Sequence, residues 1–533
     1  MQREQRHSRQ QGVSLIVGTL SFVFIIPLVG LIIDLGVLYA AKARLQGAVD
    51  GASLAAARAL NLGETIAAQA TSAQQNAVNW FYANFPAGNW GTTNTLMSSA
   101  TVQVFDDPNN PQLRDVTVTA TTSVPTYFMG WFHIFSTTIS ATGNASRRDV
   151  VIMMVLDRSG SMNNGTVPSA CQTMVSAAKI FTGQFAAGRD RIGLVSFSDS
   201  VYTPVAPTTN FQTVLGYTNS FGSAAGAIDD IVCKGGTSTA EGIAVAYNEI
   251  YEQNLPGALN VVMLETDGLP NTLALNFWDS TNNVAGIKAG SPCRDSNNKT
   301  INGGGFKTLA SLPNWTSGLS LGAGSFLPNV PAGIVGAVYS DDPDGGNQFS
   351  VMMNYWSTIE ANDYNSTSYL NGTSCSFDGG IWTNNPTDLA WFPTTDVFGS
   401  QLNPAANPFQ PVTMSGNYVQ GGSWSNFHNA VLNATDNAAY RARTNATIPA
   451  YFFAIGLGGD PGDPPDYVLL QRMANDPNGD NYNSPPLYPP CAQEGTCVNY
   501  ANQPQGTFIF SANLASLSQA YLSISSQVLR LSK

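Results

Sequence analysis

Charge is scarce in this 533-residue chain: Asp, Glu, Lys and Arg together make up 11% of it. Acidic residues outnumber basic ones by 35 to 23, giving a net charge of -12. Without a basic excess, the chain lacks the electrostatic footprint of a nucleic-acid binder, and no nucleic-acid partner is expected. Histidine is rarer still, with only His7, His133 and His428. The six cysteines, Cys171, Cys233, Cys293, Cys375, Cys491 and Cys497, form no CxxC pair, so a Cys/His zinc site has little material. No GxSxG, HExxH or Walker phosphate loop occurs, and Ser159 has no obvious base. An enzyme is therefore not expected.

The chain exceeds a single typical domain, so two or three are expected. Low charge with abundant Gly, Asn, Ser and Thr suits an extracytoplasmic protein. An even cysteine count in an exported chain suggests disulfides, although six cysteines allow about 15 pairings. Sequential order would join Cys171 to Cys233, Cys293 to Cys375 and Cys491 to Cys497. The alternative is that some stay free.

Arg3, Arg6 and Arg9 precede an uncharged, largely apolar run from Val13 to Ile33. At ~1.5 Å per residue, that run spans a ~30 Å hydrocarbon layer as a helix. The basic flank predicts a cytoplasmic N-terminus and export of the remainder. A cleaved signal peptide is the competing reading. It would have a shorter apolar region and a small-residue cleavage site close behind. Here Asp34-Leu35-Gly36 follows instead, and a helical face continues through Leu38, Leu45, Val49, Ala52 and Ala56. Gly47 and Gly51 would let another helix approach closely; alternatively this is a stalk helix packing on its own domain.

This segment resembles the N-terminal region of TadG-like proteins of the tight-adherence (Flp) pilus assembly system. The matching pattern is Gly12-Val13 through Pro27, Ile33-Asp34-Leu35-Gly36, Leu45-Gln46 and Ala48-Val49-Asp50-Gly51 followed by an Ala-rich stretch. The resemblance covers roughly residues 1–60 and implies a single-pass anchor in a bacterial cell envelope, with the bulk periplasmic or extracellular. Flp prepilins carry Glu at the fifth position after a cleavage-site Gly. After Gly12 that position is Val17, so prepilin-type processing is not supported.

Residues 61–148 change character. Glu64 to Phe85 reads as helix, followed by strands over Thr101–Phe105, Asp115–Val124 and Thr137–Ala145. Val116, Val118 and Ala120 alternate with Thr117, Thr119 and Thr121, the strand period. Pro108-Asn109-Asn110-Pro111 marks a turn. A long helix followed by a small antiparallel sheet is a pilin-like α+β arrangement.

From Asp149 the pattern alternates. Strands are expected at Val150–Leu156, Arg191–Phe197, Val201–Val205, Leu259–Glu265, Pro449–Ile455 and Thr507–Phe510. Helices are expected at Val167–Ala187, Ser238–Glu252, Phe427–Arg443, Asp466–Met473 and Leu514–Leu531. This order predicts an α/β fold: a doubly wound, mainly parallel sheet with helices on both faces. Ligands of such sheets sit beyond the carboxyl ends of the strands. Asp157-Arg158-Ser159-Gly160-Ser161 follows the first strand, Gly235-Gly236-Thr237 lies on a later loop, and Thr266-Asp267-Gly268 follows the fourth strand. Hydroxyls are neutral hard-oxygen donors suited to Mg²⁺. With few direct carboxylates, the ion stays electron-poor and seeks an anionic ligand from outside, typically an Asp or Glu of a protein partner.

These three motifs, in this order, resemble the metal-ion-dependent adhesion site (MIDAS) of the von Willebrand factor type A domain. The match covers Asp149–Asn271 and resumes near Asn426. The resemblance implies that Ser159 and Ser161 ligate the ion directly and Thr237 directly or through water. Asp157 and Asp267 would act mainly through water or from behind the direct ligands. The expected cofactor is a divalent cation, Mg²⁺ first, with Mn²⁺ and Ca²⁺ as alternatives.

Residues 272–424 interrupt this domain of residues 149–533 with a segment too long for an ordinary connection. Six of nine tryptophans, Trp278, Trp315, Trp356, Trp382, Trp391 and Trp424, lie in it or at its end. It reads as a loop-rich subdomain that walls the metal site and helps choose the partner, or else as a decoration. Deleting it and measuring partner binding would decide. Asp341-Asp342-Pro343-Asp344-Gly345 and Asp476-Pro477-Asn478-Gly479-Asp480 read as acidic turns, since the second lacks the Gly and Glu of an EF-hand. The expected function is a membrane-anchored TadG-type envelope protein of pilus assembly or adhesion, with pilin-like subunits among its candidate partners. The alternative is a metal-dependent chaperone or assembly subunit for an envelope complex unrelated to pili.

Overall fold

The computed structural model describes residues 7–532 apart from 278–333, 341–348, 353–390, 480–501 and short breaks that include 217–226 and 459–463. The chain divides into two compact units, Met1–Arg148 and Asp149–Ser532.

The first unit is built on α1 (His7–Ala59), one helix with Pro27 inside it. Its Val17–Ala59 stretch is long and apolar enough to cross a membrane, which makes it a candidate anchor. The two halves of α1 have opposite surroundings. Phe22, Phe24 and Ile32 are 61%, 73% and 60% exposed, whereas Leu45, Val49, Ala52 and Ala56 are fully buried. The buried face packs against α2 (Ile66–Asn84), which starts where Thr65 accepts the Ala68 amide at 3.2 Å. A Cβ on Gly51 would lie 2.5 Å from the Trp80 indole nitrogen, so the glycine serves a helix of the same unit.

Four antiparallel strands follow: β1 (Thr93–Leu96), β2 (Val102–Asp106), β3 (Leu113–Pro125) and β4 (Ser136–Arg148). β3 pairs with the other three. Val116, Val118 and Ala120 point into the core, as their alternation predicts. The turn before β3 is built on Asp107, whose carboxylate accepts the Asn109 and Asn110 amides at 2.7 and 3.0 Å. β1 went unread because Thr-Asn-Thr-Leu shows no alternation and Asn94 sits at φ 50.

The second unit opens with β5 (Val150–Asp157), α3 (Ala170–Thr182), β6 (Arg191–Phe197), β7 (Val201–Thr208) and the short α4 (Phe211–Val214). Next come α5 (Thr239–Gln253), β8 (Leu259–Thr266), β9 (Thr272–Phe277), β10 (Ile334–Ser340), β11 (Phe349–Met352), β12 (Trp391–Phe392), β13 (Met414–Ser415) and β14 (Tyr418–Gln420). The unit closes with α6 (Trp424–Thr444), β15 (Ala450–Leu457), α7 (Tyr467–Ala474), β16 (Phe508–Ser511) and α8 (Leu514–Leu531). The main sheet runs β16-β15-β8-β5-β6-β7, parallel except for β7. Every residue of β5 and β8 is buried, which explains why both strands are mostly apolar on both faces. One face of the sheet packs with α5, α6 and α7, and the other with α3 and α8. This is the doubly wound α/β fold expected.

α3 is shorter than the expected Val167–Ala187. Ser169 accepts the Gln172 amide at 3.2 Å while Gln172 accepts the Ser169 amide, and this capping box sets the start. The helix stops at Gly183.

The segment 272–424 is not all peripheral. β9, β10 and β11 form one small sheet, and β12, β14 and β13 another. Phe398 and Phe409 lie in the domain core with α5 and α6. Asn426, Asn429, Asn433 and Asn437, on one face of α6, bond the backbone of Thr413, Gln420, Pro411, Leu402, Gln410 and Gln401. Deleting all of 272–424 would therefore strip part of the core. The side chains of its six tryptophans, and Asp341–Gly345, lie outside the described residues. Asp476 forms the acidic turn expected: its carboxylate accepts the Asn478 and Phe508 amides, each at 2.9 Å.

Candidate metal centre

The chain leaves β5 toward β6 on one side, and later places β8 on the other side of β5. The strand order therefore reverses between β5 and β8, where open α/β sheets leave a crevice for ligands. Asp157 ends β5, and Asp267 directly follows β8.

The motifs converge there through specific bonds. Asp157 accepts the Ser159 amide at 2.7 Å through one carboxylate oxygen and the Thr266 hydroxyl at 2.5 Å through the other. The Ser159 and Ser161 hydroxyls are 2.9 Å apart, and Ser161 donates to Asp267 at 2.7 Å. The Gly160 amide bonds the Gly235 carbonyl at 2.8 Å, tying the first loop to the loop that carries Thr237. Thr237 is then locked to Asn271: its amide donates to the Asn271 side chain at 2.7 Å, and the Asn271 amide donates to its carbonyl at 3.0 Å. Asp157, Ser159, Ser161 and Asp267 thus form one hydrogen-bonded group, and Thr237 is fixed through its backbone. Thr266 and Asn271 hold this geometry. Sequence reading gave them no role, although Thr266 ends a buried apolar strand and Asn271 stands just behind the Thr266-Asp267-Gly268 motif.

Asp157, Ser159, Thr237 and Asp267 are all at most 4% exposed. Burial pushes the Asp157 carboxyl up to about 6, against the pull of the hydrogen bonds from Thr266 and Ser159. Glu265, the neighbour of Thr266 in β8, is held well above the carboxylate range by burial first and then by Asp157 and Asp267. The loop bearing Thr237 is also stapled from behind. The Cys171–Cys233 disulfide joins the first turn of α3 to the stretch just before Gly235. Cys293, Cys375, Cys491 and Cys497 lie outside the described residues.

The donor set fits a hard cation. Among the described residues, no three His, Cys, Asp or Glu side chains are grouped to hold an ion. An ion here would therefore lean on the hydroxyls of Ser159 and Ser161 as much as on carboxylates. The Ser159 hydroxyl faces the Ser161 hydroxyl and not a base, which suits a ligand better than a nucleophile.

Comparison with known families agrees with both ends of this description. The von Willebrand factor type A domain model matches residues 152–269, which include all five candidate ligands. The Flp pilus-assembly TadE/G-like model matches residues 12–59. No curated protein matches the chain. Among solved structures, the PilB minor pilin from Streptococcus sanguinis is similar at 11% identity, over 83% of this chain and 80% of that one, with a TM-score of 0.32. The vWF domain of the type V pili tip protein Mfa5 from Porphyromonas gingivalis is similar at 16% identity, over 73% and 98%, with a TM-score of 0.32. The von Willebrand factor type A protein from Catenulispora acidiphila is similar at 9% identity, over 78% and 46%, with a TM-score of 0.29. Overlaps this low leave the functional reading to the two family matches and to the site itself.

Proposed function

We propose that this chain is an envelope protein held by α1 in a membrane, and that its sheet-end site binds a protein partner through a divalent cation in pilus assembly or adhesion. The observation that carries the reading is the convergence of three separate loops at the β5/β8 reversal: bonds among Asp157, Ser159, Ser161, Thr266 and Asp267 join the first and last, and the Gly160–Gly235 and Thr237–Asn271 bonds bring in the third. Ser159, Ser161, Thr237, Asp157 and Asp267 are the residues that would hold the ion. When bound, it would supply an electrophilic point for an acidic side chain of the partner. Mg²⁺ is the first choice because neutral oxygen donors with few carboxylates match its chemistry. The pilus assignment rests on the match of residues 12–59.

Thermal unfolding of the full chain in detergent, first with EDTA and then with Mg²⁺, Mn²⁺ or Ca²⁺, tests the site. An ion at ~100 times its dissociation constant should add about 2.7 kcal/mol to the domain that binds it. Asp157→Ala combined with Ser159→Ala should abolish the shift. No shift with any of the three ions would sink the metal reading.

A further inference from the structure

The loop joining β3 to β4 gathers several exposed aromatic side chains of the first unit in one short stretch. Tyr127, Trp131, Phe132 and Phe135 are 63%, 75%, 67% and 69% exposed. No Asp, Glu, Lys or Arg occurs from Val116 to Ser146. The loop is nonetheless closed by its own backbone bonds. Met129–Phe132 forms a single tight helical turn, and His133 takes a left-handed φ of 63. The Thr126 amide bonds the Phe135 carbonyl at 3.1 Å, and the Ile134 amide bonds the Met129 carbonyl at 3.2 Å. A closed loop of this kind holds its rings outward instead of folding them onto the sheet.

Its position along α1 says what covers those rings. The Asp34 carboxylate accepts the amides of Tyr127, Phe128 and Met129 at 2.8, 2.9 and 2.7 Å. Asp34 is the first residue after the apolar run Val13–Ile33. The Phe128 ring lies against Gly30, where a Cβ would come within 2.5 Å of it. Gly30 is one helical turn inside the run, ~6 Å along the axis. The loop is therefore pinned at the level where the apolar run ends, the level at which membrane proteins place Trp and Tyr at the headgroup boundary.

We propose that the β3–β4 loop is a second membrane contact, seating Trp131, Phe132 and Phe135 in the interface of the leaflet at the C-terminal end of the apolar run. The proposal rests on α1 being embedded in that bilayer. Its occupant is lipid, because the loop shares the depth of the exposed half of α1 and carries no charge to match to a partner.

The test uses the full chain reconstituted in nanodiscs of phosphatidylcholine brominated either near the headgroup or near the bilayer centre. The Trp131 signal is the difference between wild type and Trp131→Phe, and Phe24→Trp reports the anchor separately. Headgroup-side bromine should quench the Trp131 signal more than centre bromine does, with Phe24→Trp showing the opposite preference. Quenching of Phe24→Trp but not Trp131 overturns the loop contact and leaves the anchor standing. Quenching of neither overturns both. Trp131 shielded from aqueous acrylamide yet untouched by bromine would identify a protein occupant and overturn the lipid assignment.

Discussion

The apolar half of α1 and the strand β5 are built from much the same residue types, yet their surroundings are opposite. Val150 to Leu156 are all at most 1% exposed, enclosed by neighbouring strands and helices on both faces. Phe22, Phe24 and Ile32 stand outside any protein core. Leaving such side chains in water costs about 1.5–3 kcal/mol each, so the second arrangement calls for an apolar cover, which the proposed membrane span would supply. Run length separates the two cases: a short apolar run fits a buried strand, and a long one matches the thickness of a bilayer.

A carboxylate placed in each run would break this comparison most severely. Val155→Asp puts an unpartnered charge between β6 and β8, a cost of several kcal/mol against a domain stability of about 5–15 kcal/mol. The expected outcome is loss of the cooperative unfolding transition of the second unit in calorimetry. Ile25→Asp should leave that transition in place and instead weaken membrane insertion by about 3 kcal/mol, read as a shift toward the soluble fraction on cell fractionation. If both variants lost the same transition, or both kept membrane association unchanged, the contrast between the two runs would be gone.

Burial inside protein also leaves a titration signature. Glu249 of α5 is 2% exposed, and burial, aided by the Glu252 charge, pushes its carboxyl up to about 8. Asp396 is pushed up to about 7 by burial, against the pull of the Ser400 amide and Arg441. Both folded values lie above the unfolded ones, so the folded state keeps the proton longer. Their stabilisation is complete below about pH 4 and is lost as pH rises through 7 to 8. Glu249→Gln cannot ionise and should therefore be more stable than wild type at pH 8, on the order of 1–3 kcal/mol, with the difference vanishing near pH 4. Urea unfolding across that range measures it. An equal pH slope in wild type and variant would show that Glu249 is reached by water in the folded state.

How much of this was legible follows the same division. The period of two in β3 and the helical face of Leu45, Val49, Ala52 and Ala56 were readable because one side of each element meets a core. The final helix was read to its ends, where Asn513 and Ser516 form a capping box. The three candidate metal-site motifs could be placed in order, two at strand ends and one on a loop, but the bonds joining them could not, because Thr266 and Asn271 act across long sequence separations. The return of residues 394–420 to the core was written in the three-and-four spacing of Asn426, Asn429, Asn433 and Asn437, a polar ladder that hydrophobic periodicity passes over. The aromatic loop was missed for the reverse reason. Tyr127 to Phe135 has the composition of a core segment, and only the exposure of its rings in the folded unit shows that it faces outward.

The smallest expected effect lies within α1, where glycines in equivalent helical backbone have different neighbours. A side chain on Gly30 would collide with the Phe128 ring, whereas nothing lies within 4 Å of a Cβ on Gly36. Gly30→Leu must therefore push Phe128 away, and the three amides that Asp34 holds move with it. The amides of Tyr127, Phe128 and Met129 should exchange about ten-fold faster with solvent deuterium, equivalent to about 1.4 kcal/mol of local opening. Gly36→Leu should leave them unchanged, and helix propensity favours leucine at both positions. If the two variants showed the same exchange, the loop would not be pinned to α1 at Gly30, and its depth beside the apolar run would have to be set by Asp34 alone.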